Sequence, residues 1–231
     1  MPVKRISPFV WALVATLLVV AGGVSPVVVA ADGVEVRAVD HTGSGVVATE
    51  NGRTYVASWR PSTVSVAVAA DGGDYEVCLR TDLDDGSTMQ LGCEPLGAGA
   101  NATGDQRVDF EFETWPANAT GDRTVTAVVR PGGGEPVAQA SHGVTVLAPA
   151  GDADGDGLGN RDELDRGTDV LVADTDTDGV PDGEEVNRYE TDPTSTDTDG
   201  DDLSDGVEIN EQGATRPRRT PTATASTTVR R

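Results

Sequence analysis

Three twelve-residue segments near the carboxyl end of the chain repeat one arrangement of aspartate, glycine and glutamate. They begin at Asp152, Asp174 and Asp197, at intervals of 22 and 23 residues. Each carries aspartate at positions 1, 3 and 5 and glutamate at position 12, as in the calcium-loop pattern D-x-D-x-D-G-x5-E. Alternate carboxylates converge when the chain curls, position 7 offers its backbone carbonyl, and the final glutamate closes the shell with two oxygens. Because all-oxygen shells suit hard cations, these segments predict Ca2+ sites.

The predicted ligands occupy positions 1, 3, 5, 7, 9 and 12 of each loop, and position 7 acts through its main-chain carbonyl. They are Asp152, Asp154, Asp156, Leu158, Asn160 and Glu163 in loop 1; Asp174, Asp176, Asp178, Val180, Asp182 and Glu185 in loop 2; and Asp197, Asp199, Asp201, Leu203, Asp205 and Glu208 in loop 3.

Loop 3 departs from the pattern at position 6. Asp202 stands where Gly157 and Gly179 permit the sharp bend in the other two loops. Because aspartate tolerates a positive φ less well than glycine, we expect this loop to form more weakly. An acidic, disordered segment is the alternative interpretation of the whole region. Three copies with the same offsets favour metal binding.

Acidic residues are concentrated in the repeats. Of the 39 aspartates and glutamates, 22 lie between Gly151 and Gln212, against three arginines. Without cations, so many carboxylates would repel one another and keep the region expanded. No basic face is available for nucleic acid. Lys4 is the only lysine. This scarcity of lysine resembles the composition of secreted proteins from halophiles, and a GC-rich genome is the alternative explanation for it.

The first 30 residues predict a secretion signal. Lys4 and Arg5 precede an apolar stretch at 9–21, and Val28-Val29-Ala30 offers a small-residue cleavage site. The apolar stretch is too short to cross a bilayer comfortably, which disfavours an uncleaved anchor. We therefore expect a secreted or cell-surface protein with no stable membrane insertion after cleavage.

Two further features agree with export. Cys78 and Cys93 enclose a polar, turn-rich segment and could pair across a hairpin. Such a disulfide is permitted outside the cell and typically stabilises by about 3 kcal/mol, whereas two free thiols are the alternative. Asn101 and Asn118 begin N-x-T sequons, which makes both candidate N-glycosylation sites.

Residues 32–148 predict a mostly-β domain. Val64, Val66 and Val68 alternate with small or polar residues, as in a half-buried strand, and no stretch shows helical periodicity. Seven or eight short strands over about 115 residues favour an immunoglobulin-like β-sandwich. The predicted strands are Val34–Val39, Arg53–Trp59, Thr63–Ala69, Tyr75–Arg80, Ser87–Leu91, Arg107–Glu113, Arg123–Val129 and Val137–Leu147. The aromatic residues predicted for the core are Trp59, Phe110, Phe112 and Trp115.

No set of residues predicts catalysis. Ser44 and Ser141 lie near His41 and His142, but no nucleophile elbow, helix-borne zinc motif or glycine-rich loop opening a helix accompanies them. Histidines beside glycines usually lie on the solvated surface, so both are expected there. The chain is therefore predicted to be non-enzymatic.

Residues 149–151 form the predicted hinge between the sandwich and the repeats, which span 152–213. Each loop runs into a short helix. Helices of about two turns are not stable alone in water, and the few apolar positions cannot build an ordinary core. Metal binding and folding are therefore expected to be one event. The predicted helices are Arg161–Arg166, Gly183–Tyr189 and Gly206–Glu211.

The repeats resemble the thrombospondin type 3 repeats of bacterial and archaeal secreted proteins. The matching text runs from Asp174 to Pro193, DTDTDGVPDGEEVNRYETDP, and continues with DTDGD from Asp197. The resemblance covers 152–213 and implies calcium-stabilised rods of little secondary structure that space or link extracellular modules. Dockerins, which carry two loops with longer helices, are a weaker match, because these repeats run on at a short, regular period.

Residues 214–231 break this pattern abruptly. They are rich in threonine, alanine, proline and arginine and are predicted to be disordered. Read one frame over, with codons ending mostly in G or C, the segment could spell a further loop in phase with the others, so a frameshifted repeat is one interpretation. A threonine- and proline-rich stalk that carries O-linked sugars is the other.

Together these features predict an exported calcium-binding protein with a structural or adhesive role, in which calcium-rigidified repeats space a β-sandwich module. Calcium is the expected cofactor, and a cell-surface protein or glycan is the expected partner. Two alternatives remain at this stage: the non-catalytic part of a secreted hydrolase, and a carbohydrate-binding module.

Overall fold

The computed structural model describes residues 29–30, 33–97 and 103–212. They form two compact units. The first comprises the described residues up to 56 together with 60–146, and the second comprises 57–59 and the described residues from 147 onward. The segment up to residue 28, most of the predicted signal, lies outside the described residues, as do the sequon at Asn101 and the tail 214–231.

The first unit is built from ten strands and one three-residue 3-10 turn. Period-two sequence patterns produce most of the strands, because alternate side chains then share one face of a sheet. The strands are β1 (Val29–Ala30), β2 (Glu35–Thr42), β3 (Val46–Glu50), β4 (Arg53–Ala57), β5 (Ser62–Asp71), β6 (Tyr75–Asp82), β7 (Thr88–Leu96), β8 (Thr103–Phe112), β9 (Gly121–Pro131) and β10 (Ala138–Leu147), and the turn is Ala117–Ala119.

These strands form two sheets. One has the order β2-β5-β8, and the other has the order β3-β4-β10-β9-β6-β7, with β1 beside β10. The chain passes to the second sheet after β2, β5 and β8, and it returns to the first after β1, β4 and β7. This distribution of strands is that of an immunoglobulin-like sandwich, to which the hairpin β3–β4 is added beyond β10. The mostly-β sandwich predicted from the sequence is confirmed.

The core lies between the two sheets. Val64, Val66 and Val68 of β5 are fully buried, and Val108 and Phe110 of β8 join the same cluster. Apolar burial of this kind stabilises by about 25 cal/mol per Å2 removed from water. Of the other aromatic residues predicted for the core, Trp115 is buried, Phe112 packs against the cluster, and Trp59 is half-buried in the second unit.

Two local predictions for the first unit have different outcomes. Cys78 on β6 and Cys93 on β7 are cross-strand partners, and they form a disulfide. The expectation that both histidines lie on the solvated surface is wrong. His142 is buried on β10, where its Nε2 lies 2.9 Å from the Thr54 hydroxyl. Both ring nitrogens of His41 are buried, and burial with the nearby His142 lowers the pKa of His41 to about 3.

The second unit contains three short helices, each beginning at position 9 of a loop. They are α1 (Asn160–Arg166), α2 (Asp182–Glu184), which continues as a π-helix over Glu185–Tyr189, and α3 (Asp205–Gln212). These helices lie within two residues of the predicted ones. α1 ends because Gly167 takes a left-handed conformation and donates its N–H to the Glu163 carbonyl. Within the described ranges, no helix has the length and apolar character needed to cross a membrane.

Candidate metal centres

The aspartate at position 1 holds each loop in its curled form. In loop 1, Asp152 accepts the backbone N–H of Gly155 on one oxygen (2.7 Å) and that of Gly157 on the other (3.1 Å). These bonds satisfy backbone donors that have no partner in a helix or sheet. The equivalent bonds join Asp174 to Thr177 and Gly179, and Asp197 to Gly200 and Asp202.

The aspartates at positions 3 and 5 point to the same side of the loop as position 1. Asp154 accepts the N–H of Asp156, and Asp156 accepts that of Leu158 at 2.7 Å. In each loop, one carboxylate oxygen from position 1, one from position 3 and one from position 5 lie within 4.8 Å of one another. The sequence prediction that these side chains come together therefore agrees with the geometry of all three loops.

The side chain at position 9 serves to close the loop. Asp182 accepts the N–H of Thr175 at 2.8 Å on one oxygen and its hydroxyl at 2.6 Å on the other. Asp205 makes the same two bonds with Thr198, and Asn160 accepts the N–H of Ala153. The side chain at position 9, predicted as a metal ligand, thus uses its oxygen atoms to accept hydrogen bonds from the residue at position 2. These bonds fix the two ends of the loop relative to each other.

The helix that follows each loop brings the glutamate at position 12 back over it. Because position 12 lies about one helical turn after position 9, its side chain returns to the side of the carboxylates, and it is almost fully buried in all three copies. Buried carboxylate oxygens without a hydrogen-bond partner recur at positions 3 and 12 of every loop. The residues that carry them are Asp154, Asp176, Asp199, Glu163, Glu185 and Glu208.

An unpartnered buried carboxylate is costly, and in natural proteins such groups are paired or bind a metal. Here six carboxylates, at two equivalent positions in three separate loops, each have at least one such buried oxygen without a partner. One cation in each loop would satisfy these oxygens in all six carboxylates. The donor set consists of oxygen atoms alone, which fits Ca2+ and not zinc.

The pKa values of the loop carboxylates also indicate that a cation is needed. Burial raises the pKa of Asp154 to about 6 and that of Glu163 to about 8, and the neighbouring aspartates add to both shifts. In loop 2, burial raises the pKa of Asp176 to about 6 and that of Glu185 to about 8. Negative charge is therefore disfavoured at these positions unless a cation is present. The pKa values of Asp199 and Glu208 in loop 3 are raised by the same causes.

Two positions of each loop require a left-handed backbone. At position 6, Gly157 and Gly179 have φ values of 96° and 100°, and Asp202 takes the same bend with φ 77°. At position 4, Gly155 and Gly200 have positive φ, but loop 2 places Thr177 there with φ 63°. The sequence analysis recognised position 6 and missed position 4, although glycine at this position in two of the three loops was a visible signal.

Glycine at position 10 was also missed. The N–H of Gly183 in loop 2 donates to the Asp156 carboxylate of loop 1 at 2.6 Å, and the N–H of Gly206 in loop 3 donates to the Asp178 carboxylate of loop 2 at 2.6 Å. A Cβ atom at either glycine would overlap the main-chain carbonyl oxygen of that aspartate. The position-5 ligand candidate of one loop therefore holds the following repeat in place.

The remaining predicted sites lie as follows. At position 7, the side chains of Leu158 and Val180 are buried, and that of Leu203 is exposed. Asn118 is exposed on the 3-10 turn of the first unit, where the side chain is accessible to modification.

Comparisons with known proteins do not extend this description. No protein-family model and no curated protein matches the chain. Among solved structures, a Niemann-Pick type C2 protein from the Japanese carpenter ant is similar with a TM-score of 0.36 and 11% identity, over 50% of this chain and 93% of that chain. The Pseudomonas fluorescens alkylpurine DNA glycosylase AlkC, bound to DNA, is similar with a TM-score of 0.30 and 16% identity, over 51% of this chain and 32% of its own. Both similarities are too low to carry an argument about this protein.

Proposed function

We propose that this is an exported, non-enzymatic calcium-binding protein whose calcium-rigidified repeats space a β-sandwich module at or outside the cell surface. The observation that carries the proposal is the recurrence of buried, unpartnered carboxylate oxygens at positions 3 and 12 of all three loops. The resemblance of residues 152–213 to thrombospondin type 3 repeats supports the same function, and the disulfide agrees with an oxidising compartment.

The small apolar content of the repeats supports a structural role for the ion. Among the described residues of this unit, the buried apolar cluster consists of Val180, Tyr189 and Ile209, and Leu158 and Val170 are buried outside it, far fewer residues than in the core of the sandwich. Hydrophobic burial alone therefore stabilises the repeats little. A bound Ca2+ would supply the positive charge that lets the clustered carboxylates ionise together, which couples metal binding to folding.

The chemistry also suggests a weakly bound ion. Calcium sites in extracellular modules often have dissociation constants of about 10⁻⁴–10⁻³ M, which suits a structural ion in a calcium-rich medium. Asp202 in loop 3 and Thr177 in loop 2 both hold a backbone conformation that glycine adopts at lower cost. These features favour a structural ion over a sensitive signalling site.

Calorimetric titration of the purified protein with CaCl2, at high ionic strength, tests the proposal. We expect saturable binding of three ions. Glu163→Gln should abolish binding at loop 1, because it removes the buried glutamate that completes the shell. The matched control is Asp162→Asn, which removes the same charge from the exposed neighbouring position on α1. A titration without binding heat and without any change in the melting temperature of the repeats would falsify the proposed function.

A further inference from the structure

The two histidines of the chain meet inside the sandwich. His41 comes from β2 in the three-stranded sheet, and His142 comes from β10 in the other sheet. The centres of their rings are 5.1 Å apart. The sequence contains no other histidine, so the fold brings all the imidazole groups of the protein to one place, from strands that are far apart in the chain.

The His41 ring is buried without any hydrogen bond to its nitrogen atoms. Neither nitrogen has a partner among the described residues. A neutral imidazole has one N–H donor and one lone pair, and both are therefore left unsatisfied. The ring lies nearly parallel to that of Trp115, but the indole N–H already donates to the Ser62 hydroxyl at 2.9 Å. Because buried polar groups are normally paired, such an exception indicates a bound water or ion.

Thr54 on β4 occupies one nitrogen of His142. The Thr54 hydroxyl lies 2.9 Å from His142 Nε2, and it also lies 3.4 Å from the Thr49 hydroxyl. When Nε2 carries the proton and donates it to Thr54, Nδ1 keeps its lone pair. Metal-binding histidines have this arrangement, because an outer partner on one nitrogen fixes the ring and the tautomer for the other.

Both imidazoles are held in the neutral form that metal ions bind. Burial lowers the pKa of His142, as it lowers that of His41. The Asp40 carboxylate opposes the shift at His142, and the Arg53 guanidinium adds to it. The charged side chains that act on this ring are thus one of each sign, and they leave its neutral form favoured at pH 7.

We propose that His41 and His142 form a binding site for a transition-metal ion of the Zn2+ and Cu2+ class. Imidazole nitrogen suits these ions, whereas the oxygen ligands of the loops suit calcium. With Zn–N bonds of about 2.0 Å and a tetrahedral angle, the centres of two coordinating imidazoles lie about 5 Å apart. The observed separation of 5.1 Å agrees with this value. The site lies in the first unit, and it does not depend on the proposed calcium function.

Nuclear magnetic resonance of protein that carries isotope-labelled histidine tests this inference. The two histidines give the only labelled rings when the protein is purified without a histidine tag. ZnCl2 is titrated in a buffer that contains saturating CaCl2, and the readout is confined to the imidazoles, so zinc held by carboxylates elsewhere does not contribute. We expect nitrogen resonances of both rings to shift together and to saturate at one ion per chain. Unchanged resonances in excess ZnCl2, or a shift of one ring alone, would overturn the paired site and leave the calcium function intact.

Variants locate the ion. His41→Gln removes one ligand and should abolish the saturable shift of His142; an unchanged titration would show that His41 is not a ligand. Thr54→Val keeps both ligands but removes the outer partner of His142, and it should weaken zinc binding about tenfold. The matched control is Thr126→Val, since the Thr126 hydroxyl contacts Ser141 on the opposite face of β10. Equal zinc affinities for the two threonine variants would contradict the role given to Thr54, and this pair keeps the test available when replacement of His41 disturbs folding.

Discussion

Positions 3 and 12 carry the carboxylates whose protonation decides whether a loop can hold an ion. In every loop, each of these two carboxylates has at least one buried oxygen without a hydrogen-bond partner. Position 1, by contrast, accepts two backbone N–H groups and stabilises the curl of the chain. The acidic side chains of one loop therefore divide into a group that shapes the loop and a group with buried oxygens that are available to the proposed cation.

Calcium binding is expected to release protons. Since the pKa values of Glu163 and Glu185 are raised to about 8, both are mostly protonated at pH 7 without the ion, and calcium must displace that proton. We expect release of about one proton per ion at these two sites at pH 7, and an affinity that rises as pH increases from 6 to 8. Titrations in two buffers with different ionisation enthalpies measure the proton release, and equal heats in both would contradict it.

The same shifts predict the opposite pH dependence for the ion-free repeats. A glutamate with a raised pKa binds its proton more tightly in the folded state, so its contribution to stability is present at low pH and is lost as pH rises from 4.5 through 8. Chelation should therefore destabilise the repeats more at pH 8 than at pH 6.

Replacing Thr177 by glycine is expected to stabilise the repeats. A left-handed conformation costs a non-glycine residue roughly 1–2 kcal/mol, and a β-branched side chain at φ 63° belongs to the costly cases. Thr177→Gly should raise the melting temperature of the calcium-loaded repeats, measured by circular dichroism. The reciprocal control is Gly155→Thr in loop 1, where the space around the new Cβ is open and the change should destabilise by backbone strain alone. Unchanged melting for both variants would count against this account.

The strands and helices could largely be predicted from the sequence. Each predicted strand overlaps an observed one, because alternation marks a strand with one buried face, as in β5. The strand β3 was not predicted, since its residues are half-buried or exposed without alternation. The helices were predicted because each follows a loop whose ligand pattern fixes the start of the helix.

The features that the sequence analysis missed depend on contacts between residues far apart in the chain. The burial of His41 and His142 arises from the approach of β2, β4 and β10, which local composition does not reveal. The docking role of Gly183 depends on the position of a carboxylate 27 residues earlier in the chain. Both are tertiary effects that a local pattern cannot contain.

The disulfide between β6 and β7 should stabilise the sandwich appreciably. It joins two paired strands at residues 15 positions apart in the sequence, and a loop of that size corresponds to about 3 kcal/mol in the chain-entropy account. The double variant Cys78→Ala/Cys93→Ala should lower the urea midpoint of the first unit by an equivalent amount. Calcium affinity should be unaffected, because the loops lie in the second unit; a parallel loss of affinity would show that the effect is not local.

Chelation is expected to act on one unit and spare the other. The repeats hold 22 of the 39 acidic residues and only a small apolar cluster, whereas the sandwich has an extensive core. In hydrogen–deuterium exchange, EDTA should accelerate exchange across 152–212 and leave β5 and β9 protected. Comparison with MgCl2 in place of CaCl2 controls for ionic strength. Equal protection of the loops with and without EDTA would contradict a structural ion.

Glycine at position 10 lets one repeat approach the loop before it, and this residue could help to recognise similar arrays in other genes. We expect an arginine or other bulky amino acid at position 10 to mark the first repeat of an array, and a glycine there to mark a repeat that is bonded to the one before it, as Gly183 and Gly206 are in this chain. Counting these residues in a translated gene would therefore give the number of consecutive units in a row and the points at which new rows start.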